Sequence, residues 1–344
     1  MTWNYRCVSI VITNETQVIR MTQQTAPAVR TNGARYRLKR VLLRFQSGWQ
    51  LYVMALPAIL LLVAFNYMPM FGTVLAFKRY KPLQGIFGSA WMNPLTRNFQ
   101  VLFRNSPAAI NAITNTLYLN FLFIVVGTLF SIALALAFNE VRHRTFKKIT
   151  QSISFLPYFI STVVLGIFAS GLMNYENGAI NSMLAAFGID KIPFYTSPQL
   201  WPAILLITVI WKGAGYNSVV YLATIAGIDA ELYEAAKIDG ASRWEEMRYI
   251  SLPMLRPTII VLTLLSIGRI MNADFGLFYN VTQDMPSLYS TTDVLDTFIY
   301  RALRKTGDVG ISSATALFQS LVSFVLVVVS NFVARRIDDS AALF

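Results

Sequence analysis

The stretch EAAKIDGASRWEEMRYISLP, Glu234 to Pro253, is charged and rich in helix formers, yet it separates two very apolar runs, Leu200 to Ile228 and Thr258 to Val281. It is either a passive loop or a built element at the membrane surface. The residues favour a built element. Asp229 is suited to cap a helix with Glu231 in its first turn, and Leu232, Ala235 and Ala236 then fall at i, i+3 and i+4 as one apolar stripe. Asp239-Gly240 is a turn dipeptide that stops this helix. Ser242 to Glu245 spells a capping box, which starts a second helix with Trp244 and Met247 on one side. Leu252-Pro253 is expected to end it, because the residue before a proline is pushed out of the helical region. The segment 229–257 therefore reads as a compact helical hairpin.

Such a hairpin suits a groove in another protein, since alanines let backbones approach closely and Glu234 offers a carboxylate to a partner's Arg or Lys. The competing reading is an amphipathic pair lying on lipid. Helices of that kind carry a Lys/Arg-rich polar face, whereas this segment holds Asp229, Glu231, Glu234, Asp239, Glu245 and Glu246. Its charge favours protein.

The chain around it belongs in a membrane: 55% of its 344 residues are hydrophobic and only 13% charged, against about 25% charged in soluble domains. Six runs are long enough to cross ~30 Å of hydrocarbon: Trp49 to Phe77, Ile113 to Phe138, Ile149 to Met173, Leu200 to Ile228, Thr258 to Val281 and Ile311 to Val333. The expected fold is all-α, a polytopic bundle of about six transmembrane helices over residues 49–344. Residues 1–48 read as a cytoplasmic tail, partly disordered. CVSIVIT, within the first twenty residues, is too short for a secretory signal, and a start codon placed upstream of the native one is a second reading of that segment.

Arg35, Arg37, Lys39, Arg40 and Arg44 precede the first run, Arg142, Arg144, Lys147 and Lys148 fill the second connection, and Arg335 and Arg336 follow the last run. The positive-inside rule makes these places cytoplasmic, with both termini and the hairpin on that side. The connection Phe77 to Thr116 departs from the rule, with Lys78, Arg79, Lys81, Arg97 and Arg104 and no acidic residue. On the external side it forms an electropositive surface. These flanks account for the net charge of +12 without nucleic acid. The single cysteine, Cys7, excludes an internal disulfide and a Cys-cluster metal site.

The hairpin also carries a family likeness. Glu234-Ala235-Ala236, three residues, Gly240, nine residues, Ile250, one residue and Leu252-Pro253 resembles the cytoplasmic signature of binding-protein-dependent ABC importer permeases. FKRYKPLQGIFGSAWM (77–92), IWKGAGYNSVVYLATIAGIDAELYEAAKIDGA (210–241) and TTDVLDTFIYRAL (291–303) are similar to the carbohydrate permeases of that family that take up oligosaccharides such as aldouronates and alginate. The likeness runs from Ser47 to Phe344 and implies the type I importer architecture. In it Glu234, Ala235, Ala236, Asp239, Gly240, Ile250, Leu252 and Pro253 form the coupling element, seated in a cleft of an ATP-hydrolysing subunit. The implied partners are a second permease subunit in a heterodimer, two ATPase subunits holding ATP and Mg, an extracytoplasmic solute-binding protein, an oligosaccharide and the lipid of the bacterial cytoplasmic membrane. This chain is expected to bind no cofactor or metal and to have no catalytic residue.

Three ionisable residues lie at membrane depth, where each costs at least ~2.5 kcal/mol to insert: Lys212 in the fourth run, and Arg269 and Asp274 in the fifth. On a continuous helix Arg269, near its centre, and Asp274 would stand about 140° apart, so each needs a partner elsewhere. Two readings are open. Lys212 and Arg269 line a water-filled path and meet the carboxylates of an acidic oligosaccharide such as alginate, with Tyr216, Asn217 and Asn272 supplying neutral hydrogen bonds. Alternatively, Asp274 neutralises one of the cations in an interhelical pair whose only role is packing. Related permeases usually carry a neutral residue at the Arg269 position.

Neither G-x-x-x-x-G-K-[ST] nor G-x-S-x-G nor H-E-x-x-H occurs, so nucleotide hydrolysis belongs to a partner. The rival transport class is an ion-gradient-driven carrier of an anionic solute. It would have Asp274 as its one clear titratable carboxylate and no visible repeat to support it. A membrane scaffold would explain the hairpin but not the charges at bilayer depth.

Overall fold

The computed structural model describes residues 49–337, and the expected tail at 1–48 lies outside them. The chain divides into two compact units, Met1–Asn66 and Tyr67–Phe344. In the first, α1 (Trp49–Leu62) carries Pro57 and exposes every side chain. Apolar surface of that extent belongs in lipid or against another protein.

In the second unit α2 (Pro107–Glu140) is capped by Ser106, whose Oγ accepts from the Ala109 N–H at 3.3 Å, with Pro107 at the first helical position. Its 34 residues reach roughly 50 Å, more than a bilayer core requires. The third apolar run is not one continuous helix. α3 (Arg144–Phe155) continues through a tight turn at Leu156–Phe159, and α4 (Thr162–Met173) leaves at 97° to it. Pro157 removes a ladder donor at the elbow, and the Ser161 hydroxyl restarts the helix by accepting from the Val164 N–H at 3.3 Å.

α5 (Trp201–Ala226) packs along α2 and fits the expected fourth run. Then come α6 (Ala230–Ile238) and α7 (Arg243–Glu246). The second hairpin helix does not end at Leu252-Pro253 as expected. Leu252 keeps helical angles, φ −68° and ψ −42°, and helical turns continue to Met254. A wide π turn at Met247–Ser251 opens the ladder just ahead of the proline ring and so accommodates it. The chain bends by 54° at Leu255 and enters α8 (Arg256–Gly268).

The fifth run differs most. It stops at Arg269, which caps the C-terminal end of α8 rather than lying mid-helix, and resumes only at α9 (Phe275–Val281). α10 (Leu295–Arg304) and α11 (Val309–Ile337) complete the unit. Among the described residues, four helices are long and apolar enough to cross a membrane, six if each bent pair counts as one crossing.

One apolar cluster gathers Leu119, Trp201, Leu205, Leu277, Phe278 and Val294 beside the starts of α2 and α5. A smaller one, Ile132, Ala135, Tyr221, Ile225 and Leu255, lies toward their ends, next to the hairpin. The helices cross closely at glycines. A Cβ on Gly215 would stand 2.0 Å from the Ser154 carbonyl oxygen, and one on Gly166 would stand 2.5 Å from that of Asn280. Gly215→Ala is expected to lose about 1 to 3 kcal/mol through overpacking against backbone that cannot yield. Gly213→Ala on the same helix, where the new methyl meets only the Asn217 amide nitrogen at 3.6 Å, should be near neutral. Unfolding temperatures in detergent compare the two.

Candidate functional site

α2, α5 and α8 border an open cleft of about 560 Å³ in which polar groups stand among apolar ones. α2 contributes Asn120, Thr128 and Ser131, α5 contributes Tyr216 and Asn217, and the end of α8 with the following turn contributes Ser266, Arg269 and Asn272. A second cleft of about 240 Å³ holds Lys212, Asp274 and Tyr158 and shares Asn120, Phe123, Val209 and Gly213 with the first. All six residues expected along a path thus line two adjoining spaces.

The ion pair that the second of the two readings requires is absent: among the described residues no ion pair or side-chain hydrogen bond links Lys212, Arg269 and Asp274. Asp274 is instead the N-cap of α9, its Oδ1 accepting from the Leu277 N–H at 3.0 Å. A carboxylate at a helix N-terminus is satisfied locally by the unpaired N–H groups there. Arg269 and Asp274 do not share a helix, so the expected separation of about 140° around one axis does not apply to them. Arg269 and Asn272 are exposed, and Lys212 is half-buried.

Sequence reasoning missed Asn120, Thr128, Ser131 and Tyr158. The first three were visible as uncharged polar residues within an apolar run. Tyr158 required the elbow, which brings its ring onto Tyr216 with centroids 4.0 Å apart and planes 7° from parallel. Phe155 meets the Tyr216 ring edgewise at 5.6 Å. Flat aromatic faces beside amides and cations can hold a ring-shaped polar cargo.

The caps and the turn of the hairpin form as read. The Asp229 side chain accepts from the Glu231 N–H at 3.1 Å, and Gly240 takes φ +83° while the Ala241 N–H reaches back to the Ala236 carbonyl. The Ser242–Glu245 capping box is complete, and the backbone N–H and hydroxyl of Ser242 hold the Glu245 carboxyl below its ordinary range. Tyr233 Oη and Ser251 Oγ, 2.9 Å apart, join the two helices, and Arg243 pairs with Glu140 at 2.8 Å. Ile238, Trp244 and Tyr249 are 87%, 67% and 68% exposed on the same hairpin. Glu234, Ala235, Asp239, Gly240, Leu252 and Pro253 are exposed too, whereas Ala236 and Ile250 are half-buried.

At the opposite end of α2, a charged cluster is compensated internally. Arg301 pairs with Asp284 at 3.0 Å and with Asp293, lies 4.0 Å over the Tyr289 ring, and Lys305 also meets Asp284. The electropositive loop keeps Arg79, Lys81, Arg97 and Arg104 exposed. Lys78 is not part of that surface: its Nζ is buried and donates to the Ile86 and Phe87 carbonyls at 2.9 and 3.1 Å.

Residues 127–340, which contain the hairpin and most of both clefts, match the family described as binding-protein-dependent transport system inner membrane component. The chain belongs to that family. It is a permease subunit rather than an enzyme, and membership excludes the ion-gradient carrier as its class. The chain is 34% identical over 304 residues to the polygalacturonan/rhamnogalacturonan transport system permease protein YteP of Bacillus subtilis, covering 88% of this chain and 92% of that one. The lactose transport system permease protein LacF of Rhizobium radiobacter is 32% identical over 57% of this chain and 65% of its own. Two solved structures of bacterial alginate ABC transporters each contain a chain 36% identical to this one across 87% of it. They have TM-scores of 0.77 and 0.79 and cover 98% and 99% of the matched chains, and the first is in complex with an alginate pentasaccharide-bound periplasmic protein.

Gly240→Val places a β-branched residue at φ +83°, which costs about 1 to 2 kcal/mol. Limited proteolysis of the permease should then cut within 229–257 faster than in the parent. Gly240→Asn, whose side chain tolerates this backbone, should resist almost as well as glycine.

Proposed function

We propose that this permease imports an acidic oligosaccharide, uronate-containing like alginate, through the cleft between α2, α5 and α8. The observation that carries the reading is the pair of cations, Arg269 on this cleft and Lys212 on the adjoining smaller one, neither in an ion pair with a carboxylate among the described residues. A cation held at that depth is stabilised by an anionic cargo that brings its own carboxylates. The relatives' names include a lactose system as well as an alginate one, so family alone leaves cargo charge open. Arg269 and Lys212 argue for the acidic class. Tyr216, Asn217 and Asn272 supply neutral contacts, and Asp274 fixes the start of α9.

In this reading the basic flanks place the hairpin and both termini in the cytoplasm, and the Arg301 cluster faces outward. Residues 49–344 are the transmembrane domain. A solute-binding protein delivers the cargo, a second permease subunit of different sequence completes the passage, and two ATPase subunits carry ATP and Mg. The exposed Ile238, Trp244 and Tyr249 around Glu234 are the surface an ATPase cleft would cover. Nucleotide-driven closure there is passed through the second hairpin helix into α8, and the bundle exchanges inward- and outward-facing states.

Uptake by the assembled transporter tests the cargo. Arg269→Gln should cut transport of an acidic oligosaccharide by about tenfold or more, the worth of a hydrogen bond to a charged group, while a neutral one is affected much less. Equal retention of both would remove the anion contact. For the hairpin, a photo-cross-linker at residue 238 or 244 should capture the ATPase subunit; capture of lipid alone would overturn the docking.

A further inference from the structure

The break between α8 and α9 exposes peptide groups inside an otherwise apolar bundle, and three side chains from three other helices meet them. Asn120 Nδ2 of α2 donates to the Ile270 carbonyl at 2.7 Å and to that of Asn272 at 3.4 Å. Gln319 Nε2 of α11 donates to the Met271 carbonyl at 2.7 Å. Asp296 Oδ2 of α10 accepts from the Ala273 N–H at 2.8 Å and from Gln319 Nε2 at 3.2 Å. We propose that Asn120, Asp296 and Gln319 are positioning residues that clamp the turn 269–274 and thereby set where Arg269 and Asn272 stand in the cargo cleft. This rests on the cleft reading above.

The contacts alternate along the turn. Ile270, Met271, Asn272 and Ala273 each have a backbone group held from outside, and the Met271 side chain, 1% exposed, is packed away. Arg269, Asn272 and Asp274 are the exposed side chains of the turn, and of these Arg269 and Asn272 line the larger cleft. A turn held at four successive peptide groups presents its exposed side chains in one arrangement. Asp296 also lies in the first turn of α10, where an acid is favourable for that helix alone. A purely local role does not account for its bonds to the Ala273 N–H and the Gln319 amide on separate elements. Gln319 is only 6% exposed, and as a polar side chain in a crossing-length helix it would be costly there without these partners.

The test uses the complete transporter with Cys7→Ser and Asn272→Cys, so that residue 272 carries the chain's single thiol. Gln319→Leu and Asp296→Ala, each added to that background, should label several-fold faster with a maleimide. The same substitutions in the chain with Asn272 intact should raise KM for the acidic oligosaccharide about tenfold, the effect of leaving one buried polar group unpaired, with a smaller change in maximal rate. Asp296→Asn, whose amide oxygen can still accept from the Ala273 N–H, should restore most of both readouts. Where either variant fails to assemble, Asn120→Leu replaces it for the labelling readout alone, since Asn120 itself lines the clefts.

Unchanged labelling overturns the clamp whatever transport does. Faster labelling with unchanged KM overturns its bearing on recognition, and so does an equal fall in maximal rate and yield with KM preserved. Labelling needs no cargo, so a failure of the cleft reading, seen as a silent Arg269→Gln, is distinguishable from a failure of the clamp.

Discussion

A peptide group inside an apolar bundle must be hydrogen-bonded, because no bulk water competes for it there. Most of this permease meets that requirement with uninterrupted helix. The fifth apolar run does not, and the interruption gives the site its character. By ending α8 at Gly268 and starting α9 at Phe275, the chain brings Arg269 and Asn272 to the wall of a cleft and assigns Asp274 to a helix cap. Without the interruption all three would be residues of one apolar helix. The free carbonyls and N–H of the turn are met by Asn120, Asp296 and Gln319.

The same run links the two functional regions. From the capping box at Ser242 the backbone stays helical through the π turn to Met254, bends once at Leu255 and continues as α8 to Arg269. One end is a surface hairpin braced by Tyr233–Ser251 and Arg243–Glu140; the other is the cleft cation. Leu255, fully buried against Ile132, Ala135, Tyr221 and Ile225, fixes the bend to α2 and α5. The hairpin is thus joined to the helices that wall the cleft with no loop in between, the continuity that the proposed coupling requires.

What the sequence revealed and what it hid follow from the range of the interactions. The hairpin was legible because its determinants are local: the Asp229 cap, the Ser242–Glu245 box and the positive φ at Gly240 lie within a few residues of what they stabilise. The apolar runs were legible because insertion depends on summed hydropathy. Arg269, Lys212 and Asp274 stood out as charges within those runs, and the structure does place them on adjoining clefts. The turn at 269–274 was not legible, since the groups that hold it are 150, 23 and 48 residues away from those they bond. Nor was the elbow at Ile160–Ser161, where Pro157 gave a hint that apolarity on both sides concealed. Leu252-Pro253 misled in the opposite direction, because a π turn can absorb a proline that pair statistics would place at a helix end.

The contact between Gly215 and the Ser154 carbonyl leaves no thickness of side chain between α5 and the helix before the elbow. Two backbones touching at one point behave as a riveted joint: translation of either helix along the other is blocked by its own carbonyls, while swivelling about the point disturbs little. Tyr216, the residue next to the rivet, meets Tyr158 across it. Any shape change that keeps the joint intact must carry this aromatic pair as one piece, so the stretch of cleft wall built from it keeps its form.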